Sequence, residues 1–200
     1  MSAVVPEPGW MVPMEEVSQL KNVIWEPRYD VSELDENVTE VNFFAEKING
    51  ELPISGKKKS EINTNMVAEG QMPIKNVFYI MGIRLYFPRQ IDQVDSIVTV
   101  QDAFFYSSIL EFSSQSKSFL KVPTEVLCGG VGNYNPTLIT THGQADPRAV
   151  WTLQNWAIKL DALQDFEVKV RLEAPIVSIS PGNIFRVKCQ LDGVLSRPVN

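Results

Sequence analysis

Apolar and polar positions alternate most regularly over Phe166–Leu172, where Phe166, Val168, Val170 and Leu172 are separated by Glu167, Lys169 and Arg171. A period of two places every apolar side chain on one face of an extended chain, so this segment predicts a strand buried on one side. The same reasoning predicts a strand from Val41, with Val41, Phe43 and Ala45 on the buried face, Asn42, Phe44 and Glu46 on the other, and a stop at Asn49-Gly50. Residues 77–87 are apolar on both faces, rich in β-branched and aromatic types and ended by Pro88. They predict a long, deeply buried strand, with Gly82 marking a bulge or a close backbone approach. Residues 109–113 and 118–122 form a predicted hairpin around the polar turn 114–117, closed by Pro123. A last strand is expected over 184–191, after the turn Pro181-Gly182-Asn183.

Between these strands, residues 95–106 fit either extended or helical spacing, and a short helix is expected over 100–106. The stretches 52–72, 129–137 and 141–147 are too polar and too punctuated by Gly, Ser, Asn and Pro for core elements, and a mixed stretch holding Trp151 and Trp156 follows them. Seven or eight strands, short helices and long loops predict an all-β antiparallel β-sandwich. Its expected core is Phe43, Phe78, Ile80, Ile83, Leu85, Phe166, Val168, Val170 and Val187.

The first 25 residues follow a different pattern. Trp10, Met11, Val12, Met14, Val17, Leu20, Ile24 and Trp25 are too apolar for a solvated tail, and Pro6, Pro8 and Pro13 oppose a regular strand. Pro13 followed by Glu15 and Glu16 is a helix start, and Met14, Val17, Leu20 and Lys21 share one face of a short helix ending near Asn22. The organisation expected is therefore an N-terminal arm over 1–25 and a sandwich domain over 26–200. The arm either packs on its own domain or docks on a neighbouring subunit, two readings that the sequence does not separate, and Trp10, Met11, Met14, Val17 and Leu20 are the candidate subunit contacts.

Composition narrows the function. With 24 acidic and 18 basic residues the net charge is −6, which opposes a broad grip on phosphate backbones and any direct, sequence-specific nucleic-acid binding. No run reaches the roughly 20 apolar residues of a membrane-spanning helix, and the prolines near the N-terminus interrupt any secretory signal. Cys128 and Cys189 are expected to be reduced core residues.

Candidate chemistry is sparse. His142, the single histidine, sits in a loop-like stretch with no marked base or nucleophile beside it, and replacing it with Ala is expected to leave function intact. One His and two distant Cys supply no zinc spacing, and Glu15 with Glu16 or Asp165 with Glu167 read as surface charges. Gly129, Gly130 and Gly132 are not followed by the Lys-Ser or Lys-Thr of a phosphate loop. Lys57, Lys58 and Lys59 form the only basic run, read as a solvated loop. No catalytic, cofactor or metal residue is assigned, and no enzymatic activity is expected.

Several segments, in order, resemble the jelly-roll capsid proteins of tailless icosahedral (tectivirus-like and related) phages. NFFAEKINGE at 42–51 and TNMVAEGQMPIKNVFYIMGIRLYF at 64–87 resemble the opening strand, inter-strand loop and core strand of that family. SILEFSSQSKSFLKVPTEVLCGGVG at 108–132 resembles its central hairpin. FEVKVRLE at 166–173 and VKCQLDGVLSRPVN at 187–200 resemble its closing strands, the latter with an LDG turn. Together they cover roughly half of the chain. The resemblance implies a single jelly roll, where the best-known members fuse two, and a virion protein made in the host cytoplasm. It further implies homo- or hetero-oligomeric capsomers built from this chain and other capsid proteins, with an internal viral membrane or another protein between this layer and the genome. A minor vertex or spike protein fits the same residues. So does a carbohydrate-binding sandwich, in which Trp10, Tyr134, Trp151 or Trp156 would face sugar rings.

Overall fold

The structure, a computed structural model, describes residues 11–88, 97–115, 117–127, 151–153 and 155–197. In chain order the elements are β1 (Met11–Pro13), α1 (Met14–Gln19), β2 (Val23–Trp25), β3 (Arg28–Leu34), β4 (Glu40–Phe43), β5 (Val77–Tyr86) and α2 (Ile97–Tyr106). They continue with β6 (Ser108–Ser114), β7 (Lys117–Pro123), a 3-10 turn (Thr124–Leu127), β8 (Trp151–Thr152), β9 (Trp156–Leu160), β10 (Phe166–Leu172) and β11 (Phe185–Ser196).

The chain doubles back at the β6–β7 hairpin, and each earlier strand pairs antiparallel with its counterpart on the return: β5 with β9, β4 with β10, β3 with β11. This folded ribbon closes into two sheets, β3-β11-β5-β9 facing β4-β10-β6-β7. That strand order is a jelly roll, and the protein is an all-β antiparallel sandwich. Two of its long-range pairings, Val168 with Phe43 and Val187 with Ser32, join residues more than a hundred positions apart. All nine expected core residues are buried in one cluster between the sheets, joined by Phe104, Phe112 and Phe185. The expected helix exists but starts at Ile97, and its Phe104 and Phe105 close one end of the core edge-to-face with Phe87.

Four features differ from the alternation pattern. Phe44 is buried and takes a positive φ of 65°, so β4 ends at Phe43 and does not run on to Asn49-Gly50. β3 is a buried strand through RYDVSEL, which its charged residues conceal. β11 runs on through Asp192 and Gly193, where the resemblance implied a turn. Its register against β5 shifts there, with Asp192 opposite Gly82 and Gly193 opposite Ile80, so the bulge foreseen at Gly82 lies at this crossing. Gly193 is required at this shift, since a Cβ on it would lie 2.1 Å from the Tyr79 carbonyl oxygen.

Residues 11–25 are the fourth. β1 forms despite Pro13, pairing with β9 at one edge of the large sheet, while β2 pairs with the last residues of β11. Between them α1 lays Val17 on the sheet's outer face against Tyr79 and Ala157, with Val12, Met14 and Leu20 packed around it. Residues 11–20 of the arm thus strap their own sheet, while Ile24 and Trp25 remain exposed.

Candidate functional site

Among the described residues, the β4–β5 connection, residues 44–76, carries a dense cluster of polar contacts. Read from the sequence as a solvated loop, it buries Leu52, Met66 and Met72 and wraps the free edge of β3, gripping both faces of that strand. On the inward face Lys59 Nζ donates to both carboxylate oxygens of Asp30 at 2.8 Å, with side chains 2% and 0% exposed. The Phe44 amide donates to Asp30 Oδ2 at 2.6 Å. Burial pushes the Asp30 carboxyl above its ordinary value, and Lys59, the Phe44 amide and the Thr64 hydroxyl oppose that shift. On the outward face Glu33 accepts from the amides of Ile54 and Ser55 at 3.1 and 2.7 Å and from the Ser55 hydroxyl at 2.7 Å. Beside it Tyr29 donates its hydroxyl to Glu61 O at 2.6 Å, and Lys188 Nζ stands 3.9 Å from the Tyr29 ring centroid.

Local geometry explains how the loop delivers Lys59. The Asn49 amide donates to Lys59 O, the Lys59 amide to Gly50 O and the Leu52 amide to Lys57 O, a small ladder that turns Lys59 inward while Lys57 and Lys58 stay exposed. At the far end the Gly70 amide donates to Phe44 O and the Phe166 amide to Gly70 O. Only glycine fits there, at φ +55° with a Cβ position 2.9 Å from the Phe166 carbonyl oxygen.

This pinned loop nevertheless leaves apolar side chains in solvent. Val67 and Ile74 are 61% and 68% exposed, and Leu163, in the β9–β10 turn whose amide donates to Met72 O, is 56% exposed.

The other end holds an open hollow of about 500 Å³ on the outer face of the small sheet, lined by Tyr106, Ile109, Pro123, Glu111, Lys121 and Arg171 among others. Tyr106, 75% exposed, is set at its rim by a buried knot in which Thr124 donates to Phe105 O at 2.8 Å and Ser108 donates to Phe104 O at 2.6 Å. Arg171 bridges Glu40 and Glu111 at 3.1 Å each and, chiefly by its hydrogen bond, holds the Glu40 carboxyl below its ordinary value. An exposed aromatic with carboxylates and a guanidinium can bind a polar ligand.

Of the candidate contact residues, Val17 is buried on its own sheet and Met11, Met14 and Leu20 are half-buried there, so Val17 offers no surface to a neighbour while the arm holds this position. Trp10, His142, Cys128, Tyr134 and the glycines of 129–132 lie outside the described residues. Trp156 is half-buried in β9. Cys189 is a buried free thiol. Asp30 and Glu33 escaped the sequence reading, their one signal being acidic residues inside an otherwise strand-like segment, and Lys59, read as part of a solvated basic run, is instead buried against Asp30. No protein-family model matches the chain, and no curated protein matches it.

Proposed function

We propose that this chain is a structural subunit of an icosahedral viral shell, assembling through homo- or hetero-oligomeric capsomers and located in the virion. The observation that carries the reading is the β4–β5 loop, immobilised by buried acid contacts while Val67 and Ile74 face solvent beside Leu163. A jelly roll supplies a rigid body, and loops at its ends supply contacts that repeat about symmetry axes. The ordered resemblance to phage capsid proteins points the same way. Sedimentation and negative-stain electron microscopy of the purified chain, alone and with its co-expressed virion proteins, test the proposal. Capsomers or shells are expected, weakened by Val67→Asp with Ile74→Asp; a monomer under every one of these conditions overturns it.

A second reading, a carbohydrate-binding sandwich, is favoured by Tyr106 at the hollow, a different aromatic from those the sequence singled out. Neutral glycans are the ligands to test, since Glu40, Glu111, Glu125 and Glu173 outnumber Arg171, Lys121 and Lys169 around it. Retention on a glycan array, abolished by Tyr106→Ala, would establish it.

A further inference from the structure

We propose that the tip of the β4–β5 loop at Lys57 and Lys58 docks into the Tyr106 hollow of a second copy of the chain, a contact that rests on the shell reading and specifies how its subunits join. The basic run is displayed at the surface. Lys59 turns inward to Asp30, whereas Lys57 and Lys58 are exposed and form no ion pair among the described residues. Their backbone is held in place. The Leu52 amide donates to Lys57 O at 2.8 Å, Glu51 bridges antiparallel to Lys58, and Glu33 grips the amides of Ile54 and Ser55. Two ammonium groups thus stand on a pinned turn against the single acid Glu51.

The hollow offers what these side chains need. It is lined by the apolar surfaces of Tyr106, Ile109 and Pro123 and by Glu125 and Glu173, both exposed. Arg171 is committed to Glu40 and Glu111, and Lys121 lies opposite Glu111 across β6–β7, which leaves Glu125 and Glu173 without an ion pair among the described residues. A lysine is a hydrocarbon stem ending in a cation, so the stem can lie on Ile109 and Pro123 while the ammonium meets a carboxylate or the exposed face of Tyr106. A neutral or acidic segment docked there would leave both carboxylates uncompensated.

No copy can fill its own hollow. Glu33 holds the tip at the edge strand and on the outward face of the large sheet, and the hollow opens on the outer face of the small sheet, so the sandwich stands between them. Contact between two different patches is heterologous, and its repeats close into a ring where the rotation permits, which is the form of a capsomer.

Charge reversal followed by sedimentation, and cross-linking of mixed-isotope particles, test the contact on the full chain. Lys57→Glu with Lys58→Glu, or Glu125→Lys with Glu173→Lys, should each raise the concentration needed for oligomers by about tenfold or more, and the quadruple variant should recover them. All four positions are exposed, and circular dichroism checks that each variant folds. In wild-type particles built from heavy-isotope and ordinary copies, carbodiimide should join Lys57 or Lys58 of one isotope to Glu125 or Glu173 of the other, a readout that does not depend on the variants. Particles lacking that link, or folded variants that assemble as wild type does, overturn the contact and leave the shell reading standing. Loss of assembly in the hollow variant alone gives the hollow to a different partner and overturns it too. A chain that stays monomeric, alone and with its virion proteins, removes the shell reading itself and this contact with it.

Discussion

Val17 decides whether the N-terminal strap belongs to its own domain or serves a neighbour. It is 4% exposed and rests on Tyr79 and Ala157. Val17→Ala removes two buried carbon groups, worth about 1.6 kcal/mol at roughly 0.8 kcal/mol each, and the small cavity left behind brings the loss to about 2 kcal/mol. In a domain of this size 1 kcal/mol corresponds to about 2–4 °C, so the midpoint should fall by about 4–8 °C. Val17→Asp should do more, since it forfeits the whole buried side chain and forces a carboxylate against the sheet or the arm off it. Thermal melts followed by circular dichroism measure the shift, and hydrogen exchange at the Val12 amide, in the strand paired with Ala157, reports whether the strap lifts alone. An unchanged midpoint in both variants, with assembly lost, would refute own-domain packing and give the arm to a neighbouring subunit.

Gly193→Ala should destabilise the fold by about 3 kcal/mol, the upper part of the range for overpacking, because the new methyl meets the Tyr79 backbone and not a flexible side chain; a denaturant midpoint equal to wild type would count against the bulge geometry. Cys189 is fully buried, with its thiol pushed well above the ordinary value by burial and then by Asp30 and Asp192. The folded state therefore keeps a proton that the unfolded chain releases above roughly pH 8.5, so stability should fall by about 1.4 kcal/mol per pH unit as the pH rises beyond that point. Comparing the alkaline stability profiles of wild type and Cys189→Ala isolates this slope; parallel profiles would sink the argument, as would rapid alkylation of Cys189 in the native protein.

Much of the sandwich was legible in local periodicity. The β6–β7 hairpin, β10 and the buried face of β5 follow from alternation bounded by turn residues, because a pleated strand half-buried in a core permits little else. Phe44 was misplaced for the same reason that the method works. Alternation assumes extended backbone, and at φ 65° the chain turns Phe44 into the core against Phe166. β3 was hidden because Arg28, Asp30 and Glu33 read as solvated charges. Arg28 is paired locally with Glu26, while Asp30 and Glu33 are met from elsewhere in the chain by Lys59 and by the amides of Ile54 and Ser55.

By itself, the sequence determined the all-β class, the nine core positions and the central hairpin, and it marked Gly82 as a bulge or a close backbone approach, all consequences of side chains within a few residues of one another. Tertiary structure alone decided that β3 pairs with β11, that the arm straps its own sheet and that Lys59 reaches Asp30. Burial of a charge has no local signature: whether Asp30 faces water or an ammonium depends on where a residue 29 positions away comes to rest, and that is set by loop closure and packing and not by the pattern along the strand.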